Sequence, residues 1–494
     1  MEQEHLLEQL KCYAASDTYP FHMPGHKRQW ADLSLDITEI DGFDDLHHAR
    51  GILKESMERA AELYHADRTF YLVNGSTCGI LAAIFATVKK GGKMLMMRGS
   101  HKSAYHAVAL REIVPVYLES DMISGLGLDL GICPAQIIQA CEQEEGIEAV
   151  FLTCPTYEGI SINLREIAEY LHQKEIPLIV DAAHGAHFGM ADYLPENAVT
   201  QGADLVIHSI HKTLPAPTQT ALLHCNGNRV SSMRVEHFLD YFETSSPSYL
   251  LMGAMDRCIS YLKKEGKAPW ERFYQMRKQL SDSLQDLKCI GILDAFAIEN
   301  PWKLPALRLP EMGKMVIYLK KNNHGGRWLY DRLRLDYHLQ PELSLPGYVL
   351  LFFTIADKKE GYDRLRDALY AIDARLQSDS LIFEVQNESP VPEVQSDSPV
   401  PSSAQLFHQE KVCRVVRLSI AEAEEAEKQW IYLEEAEGRI CGDYVQVYPP
   451  GQPFLVPGEE ITRECIRQIK EMLEDGYEIR GVRDNMVCVQ KEKD

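Results

Sequence analysis

The chain has 494 residues, 45% of them apolar and 25% charged, a globular balance in a length too great for one hydrophobic core. Its net charge of −22, from 51 basic and 73 acidic residues, argues against general affinity for nucleic acid or an anionic membrane surface, while leaving room for a local phosphate pocket. Twelve cysteines stand singly, with no CxxC pair and no CxxC…HxxxH spacing, which points to reduced thiols in a cytoplasmic protein and to no metal site.

Along the chain, MEQEHLLEQLKCYAAS is an acidic amphipathic start without the basic-then-apolar layout of a signal peptide, and no run approaches the length of a membrane span. Residues 1–60 read as an arm: one short helix, then loop chemistry in FHMPGHKR (21–28) and DGFDDLHH (41–48). Within a large domain at 61–250, short apolar runs recur at 69–73, 93–97, 114–118, 149–153, 177–181, 204–208 and 220–224, with helical stretches such as 79–90 and 164–174 between them. Buried strands alternating with helices predict an α/β fold whose mostly parallel sheet is covered on both faces. Residues 226–300 read as helices, notably 268–287, and 301–376 as mixed strand and helix, so 251–377 is expected to form a smaller α+β domain. The nonapeptides EVQNESPVP (384–392) and EVQSDSPVP (393–401) match at seven of nine positions and mark 378–404 as an extended linker. A third domain at 405–494 is expected to carry a helix near 420–436 and a Pro-rich segment at 438–460.

The chemistry centres on DLVIHSIHKTLPAPTQTALLH (204–224), where an apolar strand runs into His208, Ser209, His211, Lys212 and Thr213. Ligands of α/β sheets sit beyond the carboxyl ends of strands, and a desolvated lysine there is a nucleophile suited to a Schiff base. By itself Lys212 reads first as a solvated loop lysine, and only its neighbours in the pattern favour the Schiff base. Asp181 ends the run PLIVD, where a carboxylate can pair with a pyridine nitrogen or, more plainly, cap a helix. His184 follows within reach of the same ring, while His187 reads as structural. In VNGSTCG (73–79), a strand-to-helix turn, Gly75, Ser76 and Thr77 offer hydroxyls and backbone N–H groups to an anion, although Asn-Gly-Ser is also an ordinary turn. His101, after another strand end, could stack on an aromatic cofactor. A phosphate turn, a stacking histidine, a strand-end acid and a lysine 31 residues beyond it, in that order, point to pyridoxal 5′-phosphate (PLP).

FHMPGHK, DDLHH, NGST, SHKS, TCPTYEG (153–159), DAAHGAH, HSIHKTLPA and the segment 435–462 together resemble the Orn/Lys/Arg decarboxylase family of fold-type-I PLP enzymes, in its shorter Gram-positive-type form. The resemblance implies an aspartate aminotransferase-like large domain and a homodimer or higher homo-oligomer with its active site at the interface. It also implies decarboxylation of a basic amino acid, arginine before lysine or ornithine, in polyamine biosynthesis. By the same likeness Lys212 is the Schiff-base lysine, Asp181 the pyridinium partner, His184 its neighbour at the ring, and His101 the stacking histidine. Ser76 and Thr77 form the phosphate turn, Ser209 and His211 complete the phosphate and ring contacts, and Glu342 in LQPELS stands on the substrate side or is an exposed loop acid. Ala182 and Gln452 depart from the family pattern. Two rivals stand beside this reading: an aminotransferase using Arg327, Arg332 or Arg334 for the α-carboxylate, and a PLP-binding relative without turnover.

Overall fold

The computed structural model describes residues 5–16, 33–123, 126–297, 308–320, 324–386, 414–448 and 451–492, with residues 18, 23, 24, 27, 301 and 303–305 between them. Most of FHMPGHKR and the repeat from residue 387 onward lie outside the described residues. The described residues form two compact units: those within 1–118, 133–155 and 163–270, and those within 119–132, 156–162 and 271–494.

The first unit is built on seven strands: β1 (Arg68–Leu72), β2 (Lys93–Met97), β3 (Val114–Leu118), β4 (Ile147–Thr153), β5 (Leu178–Asp181), β6 (Leu205–His208) and β7 (Ala221–Cys225). Their order is β1-β7-β6-β5-β4-β2-β3. Strands β3, β2, β4, β5 and β6 pair in parallel, and β7 runs antiparallel to both β6 and β1. β1 therefore points the same way as the parallel strands, and every carboxyl end except that of β7 lies along one edge. All positions of β5, β6 and β7 are buried, which is why they read as continuous apolar runs rather than alternating ones.

Its helices are α1 (Leu6–Ala15), α2 (Ile52–Tyr64), α3 (Gly75–Thr87), α4 (Lys102–Arg111), α5 (Pro134–Gln143), α6 (Leu164–Gln173), α7 (Ile210–Thr213), α8 (Ser232–Phe242) and α9 (Tyr249–Glu265). α6 buries Leu164, Ile167, Ala168 and Leu171, the stripe that a surface helix turns to a sheet. α3 is apolar on most sides, and Gly79 lets it lie close to the sheet, since a Cβ there would stand 2.6 Å from Leu72 Cδ1. Asp256 of α9 ties three helices together: its buried carboxylate accepts from Leu6 N at 3.0 Å, Ser56 Oγ at 2.6 Å and Arg59 Nη2 at 2.6 Å.

In the second unit an antiparallel sheet takes Ile290–Leu293, Lys314–Leu319, Tyr348–Phe352 and Leu343–Leu345 in that order. Met315 and Ile317 face a core with Leu280, Leu365 and Leu369, while Val316 faces Leu128, Leu130 and Ile160, the two-residue period of a strand buried on both faces. Residues 414–492 fold as two three-stranded sheets and the helix Arg463–Glu474 around Leu433, Val445, Leu455, Ile469, Val487 and Val489.

Three expectations change. The helix expected near 420–436 is only Ile420–Glu425, and Lys428–Tyr432 is a strand paired with Met486–Gln490. KQWIY alternates half-buried and exposed positions, a pattern hidden in the sequence by the surrounding Ala and Glu. Ile290–Leu293 is a strand within the stretch read as helical. The helix Lys359–Gln386 continues past residue 377, where a linker was expected to begin.

Candidate active site

Every candidate residue except Glu342 belongs to the first unit, and each lies just beyond, or at, the carboxyl end of a strand on the shared edge. Asp181 is the last residue of β5, and Lys212 lies in the short helix α7 directly after β6. The register pairs Asp181 with Ile207, so the two loops leave neighbouring strands side by side. His184 sits in the turn after β5, and Lys212 Nζ lies 3.1 Å from its Nε2.

Asp181 is buried, and its Oδ1 accepts from Ala183 N at 3.1 Å. Burial pushes its carboxyl above the ordinary range, and the Lys212 charge and the Ala183 N–H only partly pull it back. A buried carboxylate in that condition gains from a further cation beside it, which a protonated pyridine nitrogen would supply.

His101 caps α4 after β2: its Nδ1 accepts from Ser103 N at 3.3 Å and stands 2.8 Å from Ser103 Oγ. That bond leaves the proton on Nε2. The residue is exposed, yet surrounding protein, then the charges of Lys212 and Lys102, hold its imidazole down to about 4. A ring both reachable and desolvated lies in a recess, where a planar ligand could cover its face. His211 is turned otherwise: its Nδ1 donates to Thr220 O at 2.9 Å, and burial keeps the ring neutral. Its Nε2 then carries a lone pair, which suits anchoring of α7 better than donation to a phosphate.

The candidate anion turn draws on two loops. Ser76, in the first turn of α3, has its Oγ 2.5 Å from the Oγ of Ser209, the residue that precedes α7. Gly75 opens α3 with a φ of +74°, a left-handed conformation that glycine adopts without strain. Asn74 makes no side-chain cap, so the first-turn N–H groups of α3, a helix of 13 residues, are not taken by that side chain. Thr77 is exposed in the same turn. Beside Lys212, the hydroxyl of Thr213 is buried with no partner among the described residues.

This donor set fits PLP. Uncapped helix N–H groups and the Ser76 and Ser209 hydroxyls suit a phosphate dianion. The carboxylate suits a ring nitrogen, the amine a carbonyl carbon, and the free Thr213 hydroxyl a polar group of the ligand.

Glu342 belongs to the second unit, where it is exposed and accepts from Tyr157 OH at 2.5 Å. Arg327, Arg332 and Arg334 are each paired with Asp331 or Asp336 on their own helical segment. Ser103, which holds the His101 ring, was not among the expected residues; its signal is its place two residues after His101.

Comparison with known proteins identifies the family of the chain. The Orn/Lys/Arg decarboxylase major-domain model matches residues 5–308, and the model of that family's C-terminal domain matches 407–491. An arginine decarboxylase of Bacillus subtilis is 31% identical, over 98% of this chain and 97% of its own. One of Bacillus anthracis is 30% identical, over 94% of this chain and 92% of its own. Among solved structures, the constitutive lysine decarboxylase of E. coli superposes with a TM-score of 0.77 at 19% identity, over 98% of this chain and 82% of that one, and shares the fold. The chain belongs to the Orn/Lys/Arg decarboxylase family and is a PLP-dependent amino acid decarboxylase of the fold-type-I class.

Proposed function

We propose that this enzyme decarboxylates a basic amino acid, arginine in preference to lysine or ornithine, to its amine and CO2. The observation that carries the reading is the 3.1 Å contact of Lys212 Nζ with His184, beside the buried carboxylate of Asp181, at the carboxyl edge of the sheet. The preference for arginine rests on the Bacillus relatives, which are named arginine decarboxylases and span nearly the whole chain.

When bound, PLP supplies the electron sink for the pair released from the Cα–carboxylate bond. Lys212 would hold its carbonyl carbon. Gly75, Ser76, Thr77 and Ser209 would hold its phosphate, Asp181 would keep its ring nitrogen protonated, and His101 would cover one ring face. His211 fixes α7 through Thr220. Overall, one proton taken up at Cα replaces the carboxylate that leaves as CO2. The Lys212–His184 pair is placed to move a proton near that atom. Glu342 is proposed on the substrate side, where a carboxylate would meet a guanidinium or ammonium. We further propose work in the cytoplasm as a homodimer or larger homo-oligomer, supplying amine for polyamine formation.

The internal pairing of Arg327, Arg332 and Arg334 weighs against an aminotransferase, which needs a free arginine for the α-carboxylate. The test is a panel of arginine, lysine and ornithine with CO2, amine and keto acid measured together. CO2 and agmatine in equal amounts from arginine, with slower turnover of the others, is the expected result. Keto acid without CO2 would sink the proposal.

A further inference from the structure

Glu243 follows α8, far in sequence from Gly75, Ser76 and Thr77, yet its carboxylate is inserted at the start of α3. Both of its oxygens accept from Asn74 N, at 3.1 and 3.2 Å. Its Oε1 also accepts from the Cys78 thiol at 2.6 Å. The Asn74 side chain does not cap α3, because it donates to Phe242 O at 3.1 Å. Glu243 is buried, as is Cys78. From the other side Gln219 donates through Nε2 to Val73 O, and its own carbonyl would lie 3.5 Å from a Cβ on Gly75.

Asn74 and Cys78 bracket Gly75, Ser76 and Thr77. One carboxylate thus holds both ends of the segment read here as the phosphate turn and takes none of that segment's own N–H groups. A side-chain cap from Asn74 would have consumed one of those donors. Buried carboxylates are retained where they accept several hydrogen bonds, and this one spends them on the backbone that shapes the turn. A carboxylate next to a phosphate site would be a poor choice for attraction, so its value lies in geometry.

We propose that Glu243 is a positioning residue for cofactor binding: it clamps the Asn74–Cys78 turn so that its N–H groups and the Ser76 hydroxyl converge on the phosphate of PLP. The proposal rests on the reading of that turn as the phosphate site.

The test compares two ligands that differ only in the phosphate. Full-length apoenzyme is titrated with PLP and with pyridoxal, and the ratio of the pyridoxal dissociation constant to that of PLP is followed by absorbance. In Glu243→Ala, PLP affinity is expected to fall about tenfold, the worth of one hydrogen bond to a charged group, with pyridoxal affinity unchanged. Glu243→Gln, which keeps an acceptor oxygen for Asn74 N, is expected to fall between the two. If Glu243→Ala does not fold, Glu243→Gln and Cys78→Ala carry the test, each with a reduced ratio expected. An unchanged ratio, or a parallel loss of both ligands, overturns the clamp. Ser76→Ala separates the two layers: a lowered ratio there with none at Glu243 refutes the clamp alone. No change in Ser76→Ala refutes the phosphate reading and the clamp with it.

Discussion

Asp256→Leu is the substitution whose cost can be worked most fully from the structure. The Asp256 carboxylate is fully buried and the Arg59 side chain nearly so, at 7% exposure, with Nη2 and Oδ1 2.6 Å apart. Nε and Nη1 of Arg59 are buried with no acceptor among the described residues, so the guanidinium depends on this one carboxylate. Removing the acid strands a buried cation, which costs roughly 3–5 kcal/mol. It also frees Leu6 N, the anchor that holds α1 to α9, for about 1 kcal/mol more. Adding Arg59→Met removes the stranded charge, and because the pair was incompletely satisfied from the start, the double variant should regain at least about 2 kcal/mol. Ser56 Oγ and Tyr71 OH, 2.6 Å apart, still satisfy each other in that background. Urea unfolding of the four proteins of the cycle measures the coupling, and hydrogen exchange should place the loss in α1 and α2. An Asp256→Leu variant costing under about 1 kcal/mol, or a double variant equal to the sum of the singles, would show that the two side chains are not coupled in this way.

Two further outcomes follow from buried groups at or behind the site. Asp181→Asn keeps the shape of the side chain and its bond to Ala183 N but cannot hold a proton on a ring nitrogen. Its kcat should fall on the order of 10²-fold with PLP still bound, and wild-type kcat in a PLP-loaded variant would contradict that role. His208 and His224 are fully buried, joined Nδ1 to Nε2 at 3.0 Å, and burial holds His224 down to about 3 and His208 well below its ordinary value. Both stay neutral in the fold while the unfolded chain takes up protons below about pH 6.5. Their contribution to stability is therefore complete above that pH and lost as pH falls toward 3, by about 2 kcal/mol for His224 at pH 5. The Tm of the apoenzyme should drop from pH 7 to 5, and His224→Gln should flatten the slope. Equal slopes would show that these histidines do not titrate as described.

The parallel core of the fold was legible because buried strands read as unbroken apolar runs and α6 as a regular stripe. Lys212, Asp181 and His101 were legible because each follows such a run, and topology alone brings those ends to one edge. The strand Lys428–Tyr432 was not, since its alternation is only half-buried and its neighbours favour helix. Glu243 was not, because its role comes from a contact 169 residues away with Asn74. The His208–His224 pair was hidden for a similar reason: each closes or nearly closes an apolar strand, and only the β6–β7 register sets them within bonding distance. His211 could be placed from sequence but its orientation could not, because that depends on the carbonyl of Thr220.

Whether Lys212 is the residue that binds PLP can be read by reduction. Purified protein reconstituted with PLP is treated with borohydride, digested, and mapped by mass spectrometry. A single pyridoxyl group is expected on the peptide that carries Lys212, and none in Lys212→Ala. A label on another lysine, or no chromophore to reduce, would contradict it.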